Sequence, residues 1–274
     1  MHEKVAIVTG GNSGIGIWTV IGLARLGFRV VMVSRTQERG DIALPLAKEH
    51  AQSDKIDLML AELGSLKSIC AFADSFKRRY DRLDVLVNNA AVMPEHRRVT
   101  EDGYEEQFAV NHLAYFALTA HLLDWLKASA PSRIVNVSSQ LHASGRIEWD
   151  DLQSAHHPQA YNSRQVYCNT KLMNVLFTNE LARQLDGSNV TANALHPGVI
   201  DTNLSRERRR GGYVTLNPNA EHGAATSLYV ATSPALENVT GRYFDNSRER
   251  ESSAPARDMD AAKRLWKITA DLMP

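Results

Sequence analysis

Tyr167 and Lys171 stand four residues apart in Tyr167-Cys168-Asn169-Thr170-Lys171, a spacing that puts them one helical turn apart on one face. An ammonium beside a phenol favours the phenolate and lowers the tyrosine pKa from about 10 toward neutrality, at about 1.4 kcal/mol per unit. Such a phenol can give a proton to a carbonyl oxygen or take one from an alcohol. Alone, this spacing also describes an ordinary polar helix face. Ser138-Ser139 adds weight, because the pair ends the β-branched run Arg133 to Val137 and parallel sheets hold ligands at the C-terminal ends of their strands. Tyr161 offers no second pair, since Gln165 stands four residues on.

A second chemistry is written in Thr9-Gly10-Gly11-Asn12-Ser13-Gly14-Ile15-Gly16, which follows the apolar run Val5 to Val8 and passes into helical spacing at Ile17. Glycines at 10, 14 and 16 permit a tight turn, close approach of backbone to a pyrophosphate and close packing of helix on strand. The helix then presents free N–H groups and its positive dipole end to phosphate. Gly10, Asn12, Ser13, Gly14, Ile15 and Gly16 are therefore expected to cradle a dinucleotide. The second strand-like run ends Val33-Ser34-Arg35, with a hydroxyl where NAD sites place a carboxylate and a guanidinium beside it. Ser34 and Arg35, with Arg39 one turn further on, favour NADP(H) through a bidentate grip on the 2′-phosphate. The alternative is a surface arginine over an NAD site.

These groups need rigid supports, and the chain supplies them in alternation. Strand-like runs at Val5 to Val8, Arg29 to Val33, Lys55 to Leu60, Asp84 to Val87, Arg133 to Val137 and Asn189 to Leu195 enclose helical stretches at Gly14 to Leu26, Gln37 to His50, Ser65 to Tyr80, Tyr104 to Ala128 and Val166 to Leu185. This is the rhythm of an α/β chain, a doubly wound Rossmann-type parallel sheet with helices on both faces. No linker divides residues 1–274, so one domain is expected. Irregular segments break the rhythm at His142 to Asn162, Thr202 to Pro218 and Arg248 to Asp258, and substrate loops are expected at about 140–163 and 199–217. An amphipathic run, Met259 to Met273, closes the chain as a helix.

Composition narrows the partners. With 31 basic and 31 acidic residues among 274, 43% apolar and 23% charged, no net field favours a nucleic acid or an anionic membrane. Two cysteines, Cys70 and Cys168, make no disulfide framework, and no leader is evident before Val5, so a cytoplasmic protein is expected. No run reaches the roughly 18 apolar residues of a membrane span. His142, His156 and His157 lack metal-ligand spacing, and no metal is expected.

Taken together, the glycine turn, Asn88-Asn89-Ala90, Asn111, the serine pair, Tyr167 with Lys171, and His196-Pro197-Gly198 resemble the short-chain dehydrogenase/reductase family in motif order, over essentially the whole chain. The tract Lys171 to Thr178, Leu195 to Val199 and Arg264-Leu265-Trp266 look most like its retinol-dehydrogenase-like branch. The resemblance implies a fold that moves hydride between NADP(H) and a carbonyl or alcohol of a small lipophilic substrate. It implies that Tyr167 is the acid/base, that Ser139 rather than Ser138 hydrogen-bonds the carbonyl oxygen, and that Lys171 tunes the phenol and holds the nicotinamide ribose. Asn111 would place a relay water. Asn88 would support the scaffold, Asn89 and Ala90 would lie along the cofactor, and Glu62 and Leu63 would lie near the adenine. Pro197, Gly198, Val199 and Thr202 would flank the nicotinamide. Pairing of the Asn111 and Tyr167 helices between copies implies a homodimer or homotetramer.

The chain departs from the family pattern at Ala91, where glycine is usual, at Glu62, where aspartate is usual, and at Ile17-Trp18, a helix start that is often polar. Met93, Leu141, Tyr161 and Tyr213 suggest an apolar pocket. Arg206, Arg208, Arg209 and Arg210 read as a solvated lid, with a grip on an acidic substrate or lipid headgroups as the alternative. A dinucleotide sensor or scaffold without turnover is the rival from another class, since fold alone does not fix function.

Overall fold

Val5–Thr9 is buried along its whole length, as a central strand of a parallel sheet must be when helices cover both faces. The computed structural model describes residues 3–198 and 216–273. Among them β1 (Val5–Thr9), β2 (Arg29–Ser34), β3 (Ile56–Leu60), β4 (Val85–Asn88), β5 (Ser132–Val137), β6 (Val190–His196), β7 (Tyr243–Asp245) and β8 (Arg248–Arg250) form one sheet in the order β3-β2-β1-β4-β5-β6-β7-β8. All neighbours pair parallel except β7 and β8. Ala6 of β1 pairs with Val30 on one side and Val85 on the other, so the winding reverses beside β1 and opens a crevice at the strand ends.

The helices are α1 (Gly14–Arg25), α2 (Gln37–Ala51), α3 (Leu66–Arg79), a single turn α4 (Glu106–Phe108), α5 (Ala114–Ala128), α6 (Ser163–Gln184), α7 (Pro218–Thr232) and α8 (Met259–Asp271). Strand alternation divides the core. Ala6, Val8, Val30 and Met32 pack under α1, α2 and α7, while Ile7, Val31 and Leu86 pack under α3, α5 and α6. A third apolar cluster joins Leu172, Met173 and Leu176 of α6 to Ala262 and Leu265 of α8. No described helix is long and apolar enough to cross a membrane.

The expected doubly wound α/β architecture is the one observed, with three local differences. The helix expected from Tyr104 begins at Glu106 and passes through a π-helical turn, Ala109–Leu113, in which Ala114 N bonds Ala109 O. The segment from Arg248 opens with a strand: Asn246 and Ser247, at φ 51° and 56°, make a two-residue hairpin turn, and the exposed charged side chains of β8 guard the sheet edge. Helix α7 starts where an irregular segment was expected to end. Its buried residues include Ala220, Ala224 and Ala231, too small to give a strong apolar stripe, and Pro218 takes the first helical position. The Trp18 indole donates to Asn217 O at 3.0 Å, tying α1 to the start of α7.

His112, inside the π turn, is buried and its Nε2 donates to Thr269 Oγ of α8 at 2.9 Å, because that hydroxyl spends its own hydrogen on Leu265 O. Burial pushes this imidazole from 6.5 down to about 3, so the unfolded chain takes up the proton first as the pH falls. The contribution of neutral His112 is complete above pH 6.5 and is lost progressively toward pH 3, at about 1.4 kcal/mol per pH unit. Urea unfolding should therefore show stability at pH 5 lower than at pH 7 by about 2 kcal/mol from this residue alone. His112→Gln should flatten that slope; an unchanged slope would remove the imidazole from the acid response.

Candidate active site

The crevice beside β1 is built first by a turn that only small residues fit. Gly10 sits at φ +62°, and a Cβ on Gly16 would lie 2.1 Å from Gly10 O and 2.7 Å from Asn89 Nδ2. Asn12, Ser13, Gly14 and Ile15 complete the loop into α1. Helices α2, α3, α6, α7 and α8 each carry a side-chain N-cap bond, whereas Ser13 makes none at α1. The first turn of α1 thus keeps backbone donors for a ligand, which fits the pyrophosphate of a dinucleotide.

Thr9 fastens this loop to the neighbouring strand end. Its hydroxyl accepts from Asn89 N at 2.8 Å and Ala90 N at 3.0 Å, and its carbonyl accepts from Asn89 Nδ2 at 2.8 Å. The Asn89 side chain is thereby a brace between the two strand ends. Asn88 is fully buried and donates to Thr119 Oγ and Asn136 Oδ1, a scaffold role. At the end of β2 the Ser34 hydroxyl turns back to Thr36 O at 3.0 Å, while exposed Arg35 has no carboxylate partner among the described residues. The Glu62 carboxylate accepts from Gly64 N at 2.9 Å and closes its own turn; Leu63 is half-buried against the core.

At the ends of β5 and β6 the chemical groups converge. The Ser138 hydroxyl spends its hydrogen on Lys171 O at 2.7 Å, whereas Ser139 Oγ accepts from Leu141 N at 3.2 Å and acts on the Tyr167 phenol, whose pKa it lowers. Lys171 is almost wholly buried; its Nζ donates to Val137 O at 2.9 Å and sits 5.4 Å from the Tyr167 ring centre and 5.7 Å from that of Tyr115. Burial drives Lys171 down to about 7 and pushes the Tyr167 phenol well above its ordinary value, with Ser139 pulling the phenol back. The phenol lowered by its lysine, expected from spacing, is thus outweighed in this fold by desolvation, which favours the neutral form of both groups. Pro197 and Gly198 follow β6, with Gly198 at φ +94°.

Asn111 reaches the same region by a different use of its amide. Oδ1 accepts from Val92 N at 2.8 Å, and Nδ2 donates to Val92 O at 3.0 Å and Thr170 Oγ at 3.2 Å. The amide is a strut between the 91–93 segment and α6. Tyr161, expected at an apolar pocket, instead donates to Glu105 Oε1 and accepts from Gln107 Nε2, both at 2.8 Å. Met93 and Leu141 are half-buried near the crevice. Val199, Thr202, the arginines of 206–210 and Tyr213 lie outside the described residues.

Motif spacing missed two supports. Tyr115 donates to Ala90 O at 3.0 Å while its ring flanks Lys171, and His142 bridges Ser139 O and Ser253 N through its two ring nitrogens at 2.7 and 3.1 Å. The only sequence signal for either was position, Tyr115 four residues after Asn111 and His142 three after Ser139. His156 and His157 are exposed, and no group of three metal-ligating side chains occurs among the described residues.

Known proteins share this arrangement. The short chain dehydrogenase family profile matches residues 4–212. Retinol dehydrogenase 13 of Homo sapiens is 42% identical over 281 residues, covering 98% of this chain and 84% of its own. Retinol dehydrogenase 14 of Homo sapiens is 43% identical over 291 residues, covering 98% and 86%. A crystal structure of a Mycobacterium Paratuberculosis protein superposes with a TM-score of 0.81 at 32% identity, covering 98% of this chain and 93% of that one. On this match over most of its length, this chain belongs to the short-chain dehydrogenase/reductase family as a retinol-dehydrogenase-like oxidoreductase.

Proposed function

We propose that this chain is an NADP(H)-dependent oxidoreductase that interconverts a carbonyl and an alcohol on a small lipophilic molecule, running mainly as a reductase, with Tyr167 as the acid/base. The observation that carries the reading is the convergence of Ser139, the Tyr167 phenol and buried Lys171 at the strand ends that border the glycine cradle. NADP(H) would supply or accept the hydride at the substrate carbon. Its pyrophosphate would lie on Gly10, Asn12, Ser13, Gly14, Ile15 and Gly16, its 2′-phosphate against Arg35, and its nicotinamide near Pro197 and Gly198, with Val199 and Thr202 following. Lys171 and Tyr167 would meet the ribose between them.

In reduction the Ser139 hydroxyl holds the carbonyl oxygen and the Tyr167 hydroxyl gives it a proton as the carbon gains hydride, so the C=O π bond is replaced by C–H and O–H bonds. The tyrosinate left behind needs a nearby cation. Lys171, held down to about 7 by burial and 5.4 Å from the Tyr167 ring centre, is that cation when it carries its proton, and the tyrosinate beside it favours that charged form. The preference for NADP(H) rests on Arg35, a guanidinium at the end of β2 with no ion pair of its own among the described residues. A lipophilic substrate fits the retinol dehydrogenases named above as relatives. We assign the protein to the cytoplasm, in keeping with two unpaired cysteines. If copies pair as a homodimer or homotetramer, they must do so around α8, whose Trp266 already lies on Phe116 of α5 and Phe177 of α6.

An NADPH-oxidation screen over aldehydes, ketones, steroids and quinones tests the activity directly. Tyr167→Phe should lower kcat by about 10³-fold or more while NADPH affinity, read by fluorescence titration, changes little. Turnover near wild type would remove the phenol from the reaction. Arg35→Ala should weaken NADPH about 10- to 100-fold, the worth of a charge-assisted hydrogen bond, and leave NADH almost unchanged. Equal losses for the two cofactors would refute the phosphate contact.

A further inference from the structure

Glu105 is fully buried, carries no salt bridge among the described residues, and is nonetheless surrounded by donors. Oε1 accepts from Gln107 N at 2.9 Å and from the Tyr161 hydroxyl at 2.8 Å, and Oε2 accepts from Phe108 N at 2.7 Å. Gln107 Nε2 donates in turn to the Tyr161 hydroxyl at 2.8 Å and to Ser163 O at 3.0 Å. The Glu105 backbone N–H donates to Gln153 Oε1 at 3.0 Å, and Gln153 O accepts from Arg97 at 3.2 Å. One carboxylate therefore caps the single turn α4, which runs straight into the π turn bearing Asn111, and grips the chain just before α6, which bears Tyr167 and Lys171.

We propose that Glu105 is a positioning residue, a clasp that holds the Asn111 turn, the 153–163 segment and the start of α6 in one geometry, with Tyr161 as its counterpart. Apart from the Asn111 Nδ2–Thr170 Oγ bond at 3.2 Å, the Asn111 turn and α5 meet α6 through apolar contacts such as Phe116 on Phe177, whereas a buried carboxylate with fixed donors has one arrangement. A displacement of about 1 Å in the acid would cost roughly 10²-fold in rate. Tyr161, with no lysine four residues on, so has a use that its spacing conceals.

This role presupposes the reaction proposed above, and its test separates the two. Aspartate is itself a good N-cap, so E105D retains the cap on α4, but its shorter side chain falls short of Tyr161. For E105D, NADPH affinity should stay within about twofold of wild type, while kcat per NADPH-binding site for the best carbonyl of the screen falls about tenfold or more. Y161F should show the same split, and E105D/Y161F should be no worse than E105D by more than about twofold, since both cut one link. Hydrogen exchange should rise together at residues 105–113 and 153–167 in E105D and stay unchanged in α3. Wild-type turnover in E105D, additive losses in the double variant, or exchange confined to one side of the contact would overturn the clasp. A wild type that reduces no carbonyl would overturn the function, and the exchange pattern would still decide the clasp.

Discussion

One hydroxyl holds the molecule together at the place where the sheet reverses its winding. Thr9 Oγ accepts two backbone N–H groups from the far side of the crevice and sits 3.4 Å from Val87 O, to which it donates. A threonine can do this because a hydroxyl offers two lone pairs and a rotatable hydrogen within one small group. The consequence travels: Ala90, held by Thr9, accepts from Tyr115, and the Tyr115 ring flanks Lys171, whose Nζ is anchored on Val137 O at the end of β5. The glycine cradle and the Tyr-Lys pair are thus two ends of one hydrogen-bonded path. Loss of Thr9 would loosen both at once, which no pairwise reading of either site would suggest.

Burial gives that path its chemical value. In water a phenol and an ammonium would both be solvated and would influence each other weakly; at Tyr167 and Lys171 there is no solvent to compete. Desolvation raises the phenol and lowers the lysine to about 7, driving their proton affinities apart so that each group is pushed toward its neutral form. In the proposed reaction, loss of the phenol proton to a substrate oxygen is what makes a charged Lys171 favourable. The dipoles that receive the new charge are already in place, so little reorganisation accompanies the step.

The fold and the meeting of Ser139, Tyr167 and Lys171 were legible in the sequence for a common reason. Val5 to Thr9, the glycine turn and the Tyr-Lys spacing are local patterns, and each is read from residues that lie next to one another in the chain. What escaped was set by contacts distant in sequence. The π turn at Ala109–Leu113 has no propensity signature; it forms where Glu105 starts the helix late and Asn111 must reach Val92 and Thr170. The internal hydrogen bonds of Ser34, Glu62 and the Asn111 amide depend on rotamers, which residue type alone does not give. Tyr161 looked apolar from its neighbours because Glu105 is 56 residues away. Helix α7 escaped because an alanine-rich helix buried under α1 has no polar face contrast strong enough to read.

The third apolar cluster explains why a chain of this kind carries a closing helix. The family match ends at residue 212, before α8, and the segment that follows Ser139 has little core of its own: Ile147, Trp149 and Leu152 pack on α6 and α8, and Arg264 of α8 lies 4.3 Å over the Trp149 ring. The same helix accepts His112 at Thr269 and stacks Trp266 on Phe177. Its preceding turn reaches His142 through Ser253 N and Asn179 through Ala256 O. Substrate-side residues in such a sheet sit beyond the strand ends, where no strand can brace them, so their order has to be borrowed from elsewhere. Here α8 lends it from the chain's own C-terminal end, and covers part of the α5–α6 surface as it does so.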